Sequence, residues 1–332
     1  IPFAGAQPPE TFGCEPNPTG NPVGGGEGYT DILTAGNFTA RTAEELVAAL
    51  AGAGAGDVIF IPDGAEIDLS AQERLRLPGG VTLAGTRGLD GSQGARLFST
   101  RKAGTQFATA GDGVRITGLR FEGPSDSTQR VAENACFLIT EHQGLEVDNC
   151  EIYKWNLQAI QGVRGASELH VHHNFIHDCA RSGAGYGVSV YQCDARIIGN
   201  KFDHCRHCIA SSGDPGCSYE AAYNLVLPHH TSHHFDMHGG ADRGDGTVIG
   251  GEWIHIHHNT FMGDSSTPPA FEQGDTEAGE RRSVVLRGVP CQGAFIDHNW
   301  FARPVAEVIW TFGYGNITIY RNVWGPDRIL ED

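Results

Sequence analysis

The feature that most limits the possible folds of this 332-residue chain is an asparagine that recurs in a fixed local frame. In each frame an apolar or small residue lies three positions before the asparagine, and an apolar residue lies two positions after it. The asparagines are Asn174, Asn200, Asn224, Asn259, Asn299 and Asn322, and the close spacings are 26, 24 and 23 residues. Upstream, segments 114–122 and 145–153 fit the same frame, with Leu119 and Cys150 in the asparagine position. A repeat of about 25 residues therefore organises the chain.

This repeat predicts a solenoid. The residues before each asparagine alternate as they do in strands, and a residue that tolerates a left-handed backbone, followed by a second short strand, indicates a tight bend. One bend per repeat stacks the chain into coils, and an asparagine in every coil can hydrogen-bond the asparagines above and below it. The alternative is an antiparallel barrel or sandwich, which favours Asn-Gly or Asp-Gly turns. No asparagine in this chain is followed by glycine.

A third type of apolar segment precedes each asparagine segment, so we expect three strands per coil. These segments are 136–141, 158–163, 186–192, 207–213, 233–239, 270–275 and 307–312. With this pattern, residues 40–325 resemble the pectate-lyase-like superfamily. The resemblance implies an all-β fold, a single-stranded right-handed parallel β-helix. It also implies that segment 42–64, which begins with a Thr42/Glu45 capping box, supplies a short N-terminal capping helix. We expect an N-terminal extension over residues 1–40 and one catalytic domain over residues 41–332.

Composition restricts the partners and the compartment. The net charge of −17 at pH 7 argues against binding to nucleic acid or to anionic membranes. No run of about 18 apolar residues is present that could span a bilayer. Nine cysteines and a first residue other than methionine favour a secreted protein in an oxidising compartment. We expect disulfide bonds among the cysteines between residues 179 and 217, and a monomer.

Polar side chains gather on one face of the third strand type. When these strands are aligned on their inward apolar residues, the outward residues of segment 233–239 are His234, Asp236 and His238. The neighbours expected from other coils are Glu272 one coil further on, Tyr191 two coils back, and Arg206 and His207 in the coil between. Because coils lie about 4.8 Å apart, these side chains can reach one sugar ring together. A second outward row, Arg115, Glu146, His170, Arg196, Glu220 and His255, predicts exposed ion pairs on another face.

The same segment resembles the strand motif Tyr-Gly-Phe-Asp-Pro-His of mannuronan C-5 epimerases, which share the fold. The match covers Phe235, Asp236 and His238, whereas His233, His234 and Met237 replace the tyrosine, glycine and proline. The missing tyrosine departs from the family's proton-transfer scheme, although Tyr191 could supply a phenol from another coil. The resemblance implies chemistry on a uronic acid polymer.

Lyases and epimerases of such polymers share a first step, in which a base removes the C-5 proton beside the carboxylate and the site stabilises an enolate-like intermediate. The assigned roles are His238 or His234 as base, Tyr191 as acid or second base, Arg206 as carboxylate neutraliser with Arg243 in reserve, and Asp236 as the group that orients a histidine or binds a cation. His207, Glu272, Arg243 and His233 are the expected further substrate contacts. The preferred hypothesis is a polysaccharide lyase acting by β-elimination.

Three alternatives stay open. The first is a C-5 epimerase, and the second is a non-catalytic carbohydrate-binding protein of the same fold. The third is a glycoside hydrolase, which needs two carboxyl groups that Asp236 with Glu272 or Asp275 could provide. Calcium is the expected metal, if any, with Asp236, Glu272, Asp242 and Asp245 as ligands. The His-x3-His spacings favour zinc less, because positions i and i+4 of a strand lie about 13 Å apart.

Overall fold

A computed structural model describes residues 10–125, 133–181, 183–262 and 282–325, and in them the chain forms the parallel β-helix that the repeat predicts. Three sheets of eleven, ten and nine strands run the length of the stack. Each strand pairs in parallel with its equivalent in the next coil, so residues about one repeat apart become neighbours across a strand pair. No helix in the described ranges is long and apolar enough to cross a membrane.

The strands of the three sheets are as follows. The first sheet contains Phe38–Thr39, Val58–Phe60, Thr82–Ala84, Arg115–Thr117, Glu146–Asp148, Leu169–His172, Asp194–Ile198, Ser218–Ala222, Trp253–His257, Gly293–Asp297 and Ile317–Tyr320. The second contains Glu66–Asp68, Arg96–Phe98, Arg120–Glu122, Glu151–Tyr153, Phe175–His177, Lys201–Asp203, Leu225–Val226, Thr260–Phe261, Trp300–Phe301 and Val323–Trp324. The third contains Leu75–Leu77, Ala103–Thr109, Glu133–Ile139, Gln158–Gly162, Tyr186–Val190, His207–Ser211, Phe235–Met237, Val284–Leu286 and Ile309–Trp310.

The predicted asparagine ladder lies buried at the corner between the first and second sheets. The Nδ2 of Asn174 donates to Oδ1 of Asn200 at 3.0 Å, and Asn200 donates in the same way to Asn224 at 3.1 Å. Bonds of 2.9 Å continue the series to Asn259, Asn299 and Asn322. The backbone N–H of Cys150, in the coil before, donates to Asn174 Oδ1 at 2.9 Å. Each buried amide is therefore satisfied by its neighbours.

The left-handed residue of each corner is not the asparagine, as the sequence suggested, but the residue before it. His173 and His258 both have a φ of 52°, and Tyr223 has a φ of 56°. Glycine takes the position only at Gly118 and Gly199. The asparagine keeps an ordinary backbone because its side chain must point inward along the stack, and the preceding residue makes the turn instead.

The interior of the coils is apolar and the N-terminal end is closed by a helix. Phenylalanines stack inside, with ring centroids 5.4 Å apart for Phe107 and Phe137 and 4.8 Å apart for Phe261 and Phe301. The helix Ala43–Gly52 begins after Thr42, whose hydroxyl accepts from the Glu45 amide at 3.2 Å. Its apolar face joins the core through Leu46, Ala49 and Leu50. The predicted capping helix is therefore present. In the described residues, the connections contain three further short helices, Leu89–Gly91, Gly240–Arg243 and Val305–Val308.

The N-terminal extension lies along the ladder corner. Gly13 donates its backbone N–H to the His298 carbonyl at 3.0 Å, and Gly24 donates to Gly199 at 2.8 Å. Further along, the hydroxyl of Tyr29 donates to Oδ2 of Asp148 at 2.9 Å. The extension thus runs from the C-terminal coils toward the N-terminal ones, along the corner that follows the first sheet.

Two expectations about the third sheet are wrong. The strand beside Phe235–Met237 is Val284–Leu286, in the register Phe235 to Val284. The predicted neighbour, segment 270–275, is therefore not the strand that pairs with Phe235–Met237. Segment 270–275 lies outside the described residues. In the last coil, Ile309 rather than Val308 takes the inward position. The first error arose because a long connection separates Phe235 from Val284, so that spacing no longer identifies the strand.

The expected disulfide bonds are also wrong. The cysteines at 179, 193, 205, 208 and 217 are free thiols in the structure. All five are buried and lie in the apolar core. Burial raises the pKa of Cys205 and Cys208 well above the ordinary thiol value. These residues pack as small apolar side chains rather than as cross-links.

The outward row of the first sheet forms the expected ion pairs. Nε of Arg115 lies 3.6 Å from Oε2 of Glu146, and Nε of Arg196 lies 2.9 Å from Oε2 of Glu220. A second series of charges follows the second sheet. There the two ring nitrogens of His177 lie 2.6 Å from Asp178 and 3.2 Å from Glu151.

Replacing a ladder asparagine should destabilise the fold more than replacing a surface one. Asn224→Ala removes bonds to Asn200, Asn259 and the Ile197 carbonyl. It leaves buried polar atoms without partners, so we expect a loss of about 3 kcal/mol or more in the free energy of unfolding. Urea denaturation measures this. The control Asn37→Ala, which removes one exposed bond to Val58, should cost about 1 kcal/mol or less. Similar losses in the free energy of unfolding for the two variants would contradict a stabilising role of the asparagine ladder.

The charge pair at His177 should make stability depend on pH. Burial alone would lower the pKa of His177, but Asp178 and Glu151 raise it to about 9. Because this exceeds the unfolded value of about 6.5, its contribution is complete below pH 6.5 and is lost as pH rises through 9. His177→Gln should therefore reduce the free energy of unfolding more at pH 6 than at pH 10.

His258 offers a matched control with the opposite sign. Burial lowers its pKa to about 4, with His257 and His298 adding to the effect. A histidine with a lowered pKa contributes stability above pH 6.5 and loses it as pH falls. His258→Gln should thus cost more at pH 10 than at pH 6. The same trend in both variants would show that the assigned charge states are wrong.

Candidate active site

Asp236 is the centre of the polar cluster on the outer face of the third sheet. Its carboxylate accepts two bonds of 2.8 Å from one guanidinium, from Nε of Arg287 to Oδ1 and from Nη2 to Oδ2. The Asp236 side chain is 0% exposed although it points away from the core, because its neighbours cover it. Burial alone would raise the pKa of Asp236, but the hydrogen bond from His238 and the charge of Arg287 hold it well below the usual range. Asp236 is therefore an ionised, fixed anion.

Two histidines approach the same carboxylate. Nε2 of His238 lies 3.2 Å from Oδ2 of Asp236, and Nε2 of His207 lies 3.4 Å from the same atom. The two rings differ in access, since the His238 side chain is 34% exposed and that of His207 is 0% exposed. Only His238 can thus meet a ligand from solvent directly. The close approach of its strand requires Gly213, at φ 70°, because a Cβ there would collide with the His238 carbonyl oxygen.

His207 is held as a neutral ring in a fixed orientation. Its Nδ1 lies 2.5 Å from the carbonyl oxygen of His233, so Nδ1 carries the proton, and its Nε2 accepts from Nη1 of Arg206 at 2.6 Å. Burial, the largest influence, lowers the pKa of His207 to about 3. The ring is stacked between Tyr186 at 5.5 Å and His233 at 6.1 Å between ring centroids. His207 therefore supports the cluster and places the Arg206 cation at its edge.

Tyr191 lies on the same face but does not contact Asp236. It follows Val190, and His238 follows Met237, two strands away across the strand that ends at Ser211. At about 4.8 Å per strand, roughly 10 Å of sheet surface separates the two positions. Burial raises the pKa of Tyr191 to about 12, so the phenol keeps its proton at neutral pH. This position suits a proton donor on the far side of a sugar ring from His238.

The expectation that His234 faces the groove is wrong. The side chain is buried, with its ring 4.9 Å from His230 and 5.9 Å from the core residue Phe261. The cause is a local bulge, in which the His234 carbonyl accepts two amides of the preceding coil, those of Cys208 and Ile209. Such a bulge shifts the alternation by one residue, so His233 faces outward and His234 inward.

The remaining expected site residues are dispersed. Arg243 bonds the Ser212 and Ile249 carbonyls at 2.9 and 3.1 Å, and it pairs with Asp245 at 2.7 Å. Arg243 thus stabilises a surface loop and is not part of the Asp236 cluster. Asp242 caps the short helix through the Gly239 amide. Glu272 lies outside the described residues, and so does Asp275.

The expected calcium ligands do not surround a common centre in the described residues. Asp236 and Asp242 both contact Arg287, the latter at 3.5 Å between Nη1 and Oδ1. A guanidinium therefore takes the position between the two carboxylates. Asp245 instead accepts from the hydroxyl and the amide of Thr247.

Sequence reasoning missed Arg287 and Tyr186. Arg287 follows the apolar run Val284–Leu286 and lies beside His238 once that run pairs with Phe235–Met237. In the sequence, the apolar run Val284–Leu286 was the signal that could have located Arg287. Tyr186 and Gly187 occupy, two coils back, the register positions of His233 and His234. The Tyr-Gly pair missing from segment 233–238 is thus present in the same row of the sheet.

The cluster combines an accessible base with fixed charges. His238 can accept a proton, and Asp236 orients its ring and stabilises the imidazolium that would form. The positive charges of Arg206 and Arg287 offset the negative charges of Asp236 and Asp242. Among the described residues of the cluster, the two guanidinium charges balance the two carboxylates, although the chain carries a net charge of −17. An anionic sugar can approach such a surface without the repulsion that the rest of the protein presents.

Comparison with known proteins identifies a fold relative. No family model matches the chain, and no curated protein matches it by sequence. Among solved structures, it is similar to an alginate lyase from Paenibacillus sp. str. FPU-7, with a TM-score of 0.56 and 16% sequence identity. The similarity covers 87% of this chain and 97% of the other. At this identity the similarity establishes the shared fold, a β-helix also used by a polysaccharide lyase.

Replacing Arg287 should reveal how much the buried Asp236 carboxylate reduces the free energy of unfolding when it has no partner. Arg287→Met leaves Asp236 buried without its bidentate partner, and we expect a loss of about 3 kcal/mol or more in the free energy of unfolding. The double variant Asp236→Asn/Arg287→Met should recover part of that loss, because the buried charge is then absent. Chemical denaturation of the single and double variants tests this.

Arg196→Met is the control. It breaks the pair with Glu220, in which the Arg196 side chain is 65% exposed, so its cost should stay below about 1 kcal/mol. A loss for Arg287→Met no larger than this would mean that Asp236 is not a buried ion.

Proposed function

We propose that this protein is a secreted polysaccharide lyase that cleaves a uronic acid polymer by β-elimination. The observation that carries the proposal is the pair of Asp236 and His238, a buried carboxylate 3.2 Å from a partly exposed imidazole. The fold similarity to an alginate lyase supports the same class, and the resemblance of segment 233–238 to a mannuronan epimerase strand favours the same polymer. Alginate is therefore the substrate we propose first.

In the proposed reaction, Nδ1 of His238 takes the C-5 proton of the uronate, because Nε2 faces the Asp236 carboxylate. The electron pair of the broken C–H bond forms the C4–C5 double bond, and the C4–O4 bond breaks with its electrons leaving on O-4. The C-5 proton is weakly acidic, so the base must be fixed in place and its charged form stabilised. Asp236 supplies both effects, because Arg287 holds it rigidly and it stays ionised.

Two other groups complete the step. Arg206, partly exposed beside His207, is the proposed partner of the uronate carboxylate, which gains charge as the enolate-like intermediate forms. Tyr191 keeps its proton at neutral pH and is the proposed donor to the departing O-4. Solvent then returns the proton of His238 to Tyr191, so the enzyme is restored after each turnover.

Epimerisation is the second candidate, and one observation favours it. Tyr191 and His238 lie in one row with Ser212 between them, so a ring above Ser212 would have a proton-transfer group on either side. An epimerase needs this arrangement, because one group removes the C-5 proton and another returns a proton to the opposite face. Hydrolysis is less suited to the site, since an ionised Asp236 bound to Arg287 cannot act as a general acid.

The decisive experiment incubates the full chain with polymannuronate, polyguluronate and pectate in deuterated buffer. A lyase generates unsaturated ends that absorb in the ultraviolet, and we expect this result. An epimerase incorporates deuterium at C-5 without chain cleavage, and a hydrolase yields reducing ends without the absorbance. Binding without any of these changes would favour the carbohydrate-binding alternative.

Substitution of the base should remove turnover and spare the fold. For His238→Ala we expect kcat to fall by about 100- to 10,000-fold, the range for loss of a positioned acid–base group, with an unchanged thermal midpoint. The matched control is His170→Ala, which removes a similarly exposed histidine from the first sheet. Activity of His238→Ala within a few-fold of the parent would show that the base lies elsewhere.

A further inference from the structure

A second histidine cluster lies at the corner between the second and third sheets, away from Asp236. Nδ1 of His204 lies 2.9 Å from Oδ2 of Asp203, and Nδ1 of His229 lies 3.0 Å from Oδ1 of the same carboxylate. The two imidazole rings are stacked, with centroids 4.7 Å apart and planes 20° apart. The mechanism proposed above uses none of these three residues.

The coil geometry builds this cluster from two successive turns. Asp203 ends the strand Lys201–Asp203, and His204 turns the chain with a φ of 48°. His229 comes from the equivalent turn of the next coil, three residues after the strand Leu225–Val226. The left-handed backbone at His204 lets adjacent side chains point to one side, so one carboxylate meets an imidazole from its own coil and one from the next.

We propose that Asp203, His204 and His229 bind one Zn²⁺ ion per chain. One ligand atom from each residue lies within 4.8 Å of the other two, so small side-chain rotations bring all three to bonding distance. Two imidazole nitrogens and a carboxylate oxygen are ligands that zinc accepts, and a solvent-facing site leaves further positions for water. The His229 side chain is 42% exposed, which provides a route for the ion.

The charges around the cluster favour a cation here over the other comparable group. Among the described residues, Glu146, His170 and His172 also bring ligand atoms together. There, however, Nε of Arg115 lies 3.6 Å from Glu146, and this guanidinium opposes a second cation. Within the described part of the chain, the ion pairs of Asp203 involve only His204 and His229. Its negative charge is thus offset by groups that can serve as neutral ligands.

A Zn²⁺ ion at this position would link two adjacent coils beside the strand that carries Asp236. His229 begins the turn that leads to the strand Phe235–Met237. Its neighbour His230 is fully buried, and its Nδ1 accepts from the Cys205 amide at 3.2 Å. Binding to the folded chain alone stabilises that state by mass action. The site therefore has a structural effect, and its test does not depend on the proposed lyase activity.

The test uses the full chain after dialysis against a chelator, with Zn²⁺ alone as the probe. Isothermal titration calorimetry should show one ion bound per chain, and thermal unfolding should shift to higher temperature with added Zn²⁺. His204→Ala and His229→Ala should each weaken binding by about 100-fold or more, since even outer-sphere changes cost 10- to 100-fold. Asp203→Asn, which keeps the side-chain shape, should also abolish the thermal shift.

His172→Ala is the matched control, because it removes a ligand of the competing group at Glu146 and should leave both readouts unchanged. Far-UV circular dichroism confirms that each variant is folded. The proposal is overturned if Zn²⁺ binds the folded His204→Ala and His229→Ala variants as it binds the parent. It is equally overturned if His172→Ala loses the ion, or if the parent shows neither heat of binding nor a thermal shift.

Discussion

The chain of asparagine side chains at the corner between the first and second sheets is the interaction on which the structure depends. A β-helix must turn at the same place in every coil, and each turn buries polar backbone groups. From Asn200 onward, the Oδ1 of each ladder asparagine accepts both the backbone and the side-chain N–H of the asparagine before it, as Asn200 does for Asn174. The corners are thereby held in register. With the corners in register, the strands of all three sheets align across coils.

Register between coils is what assembles the candidate site. Asp236 and Arg287 are 51 residues apart, yet they lie on adjacent strands and form a bidentate pair. His207 reaches the same carboxylate from the strand on the other side. A buried anion at this position is costly unless it is paired and hydrogen-bonded. The surrounding cations and rings fix Asp236, and through it they fix the partly exposed His238.

The fold was predictable because its signals are local. The frame around each asparagine spans only a few residues, so the ladder, the coil number in the regular part and the capping helix all followed from short patterns. The face of Asp236 and His238 was also predictable, since alternation holds from Phe235 onward. The prediction for His234 is wrong because a bulge, in which two amides of the preceding coil bond the His234 carbonyl, shifts the alternation. Arg287 was missed because a long connection separates its strand from the repeat and removes the spacing that located the others.

The sequence by itself determined the architecture, a stack of three-stranded coils with a polar strand at 233–238, because a buried side chain repeated in every coil leaves few other ways to satisfy its amides. Only the tertiary structure decided which polar groups meet. It placed Arg287 against Asp236, turned His234 into the core, kept the cysteines between 179 and 217 as packed thiols, and joined His229 to Asp203. The reason is physical: these contacts join residues of different coils, and their geometry depends on bulges and connections whose lengths no periodic pattern constrains.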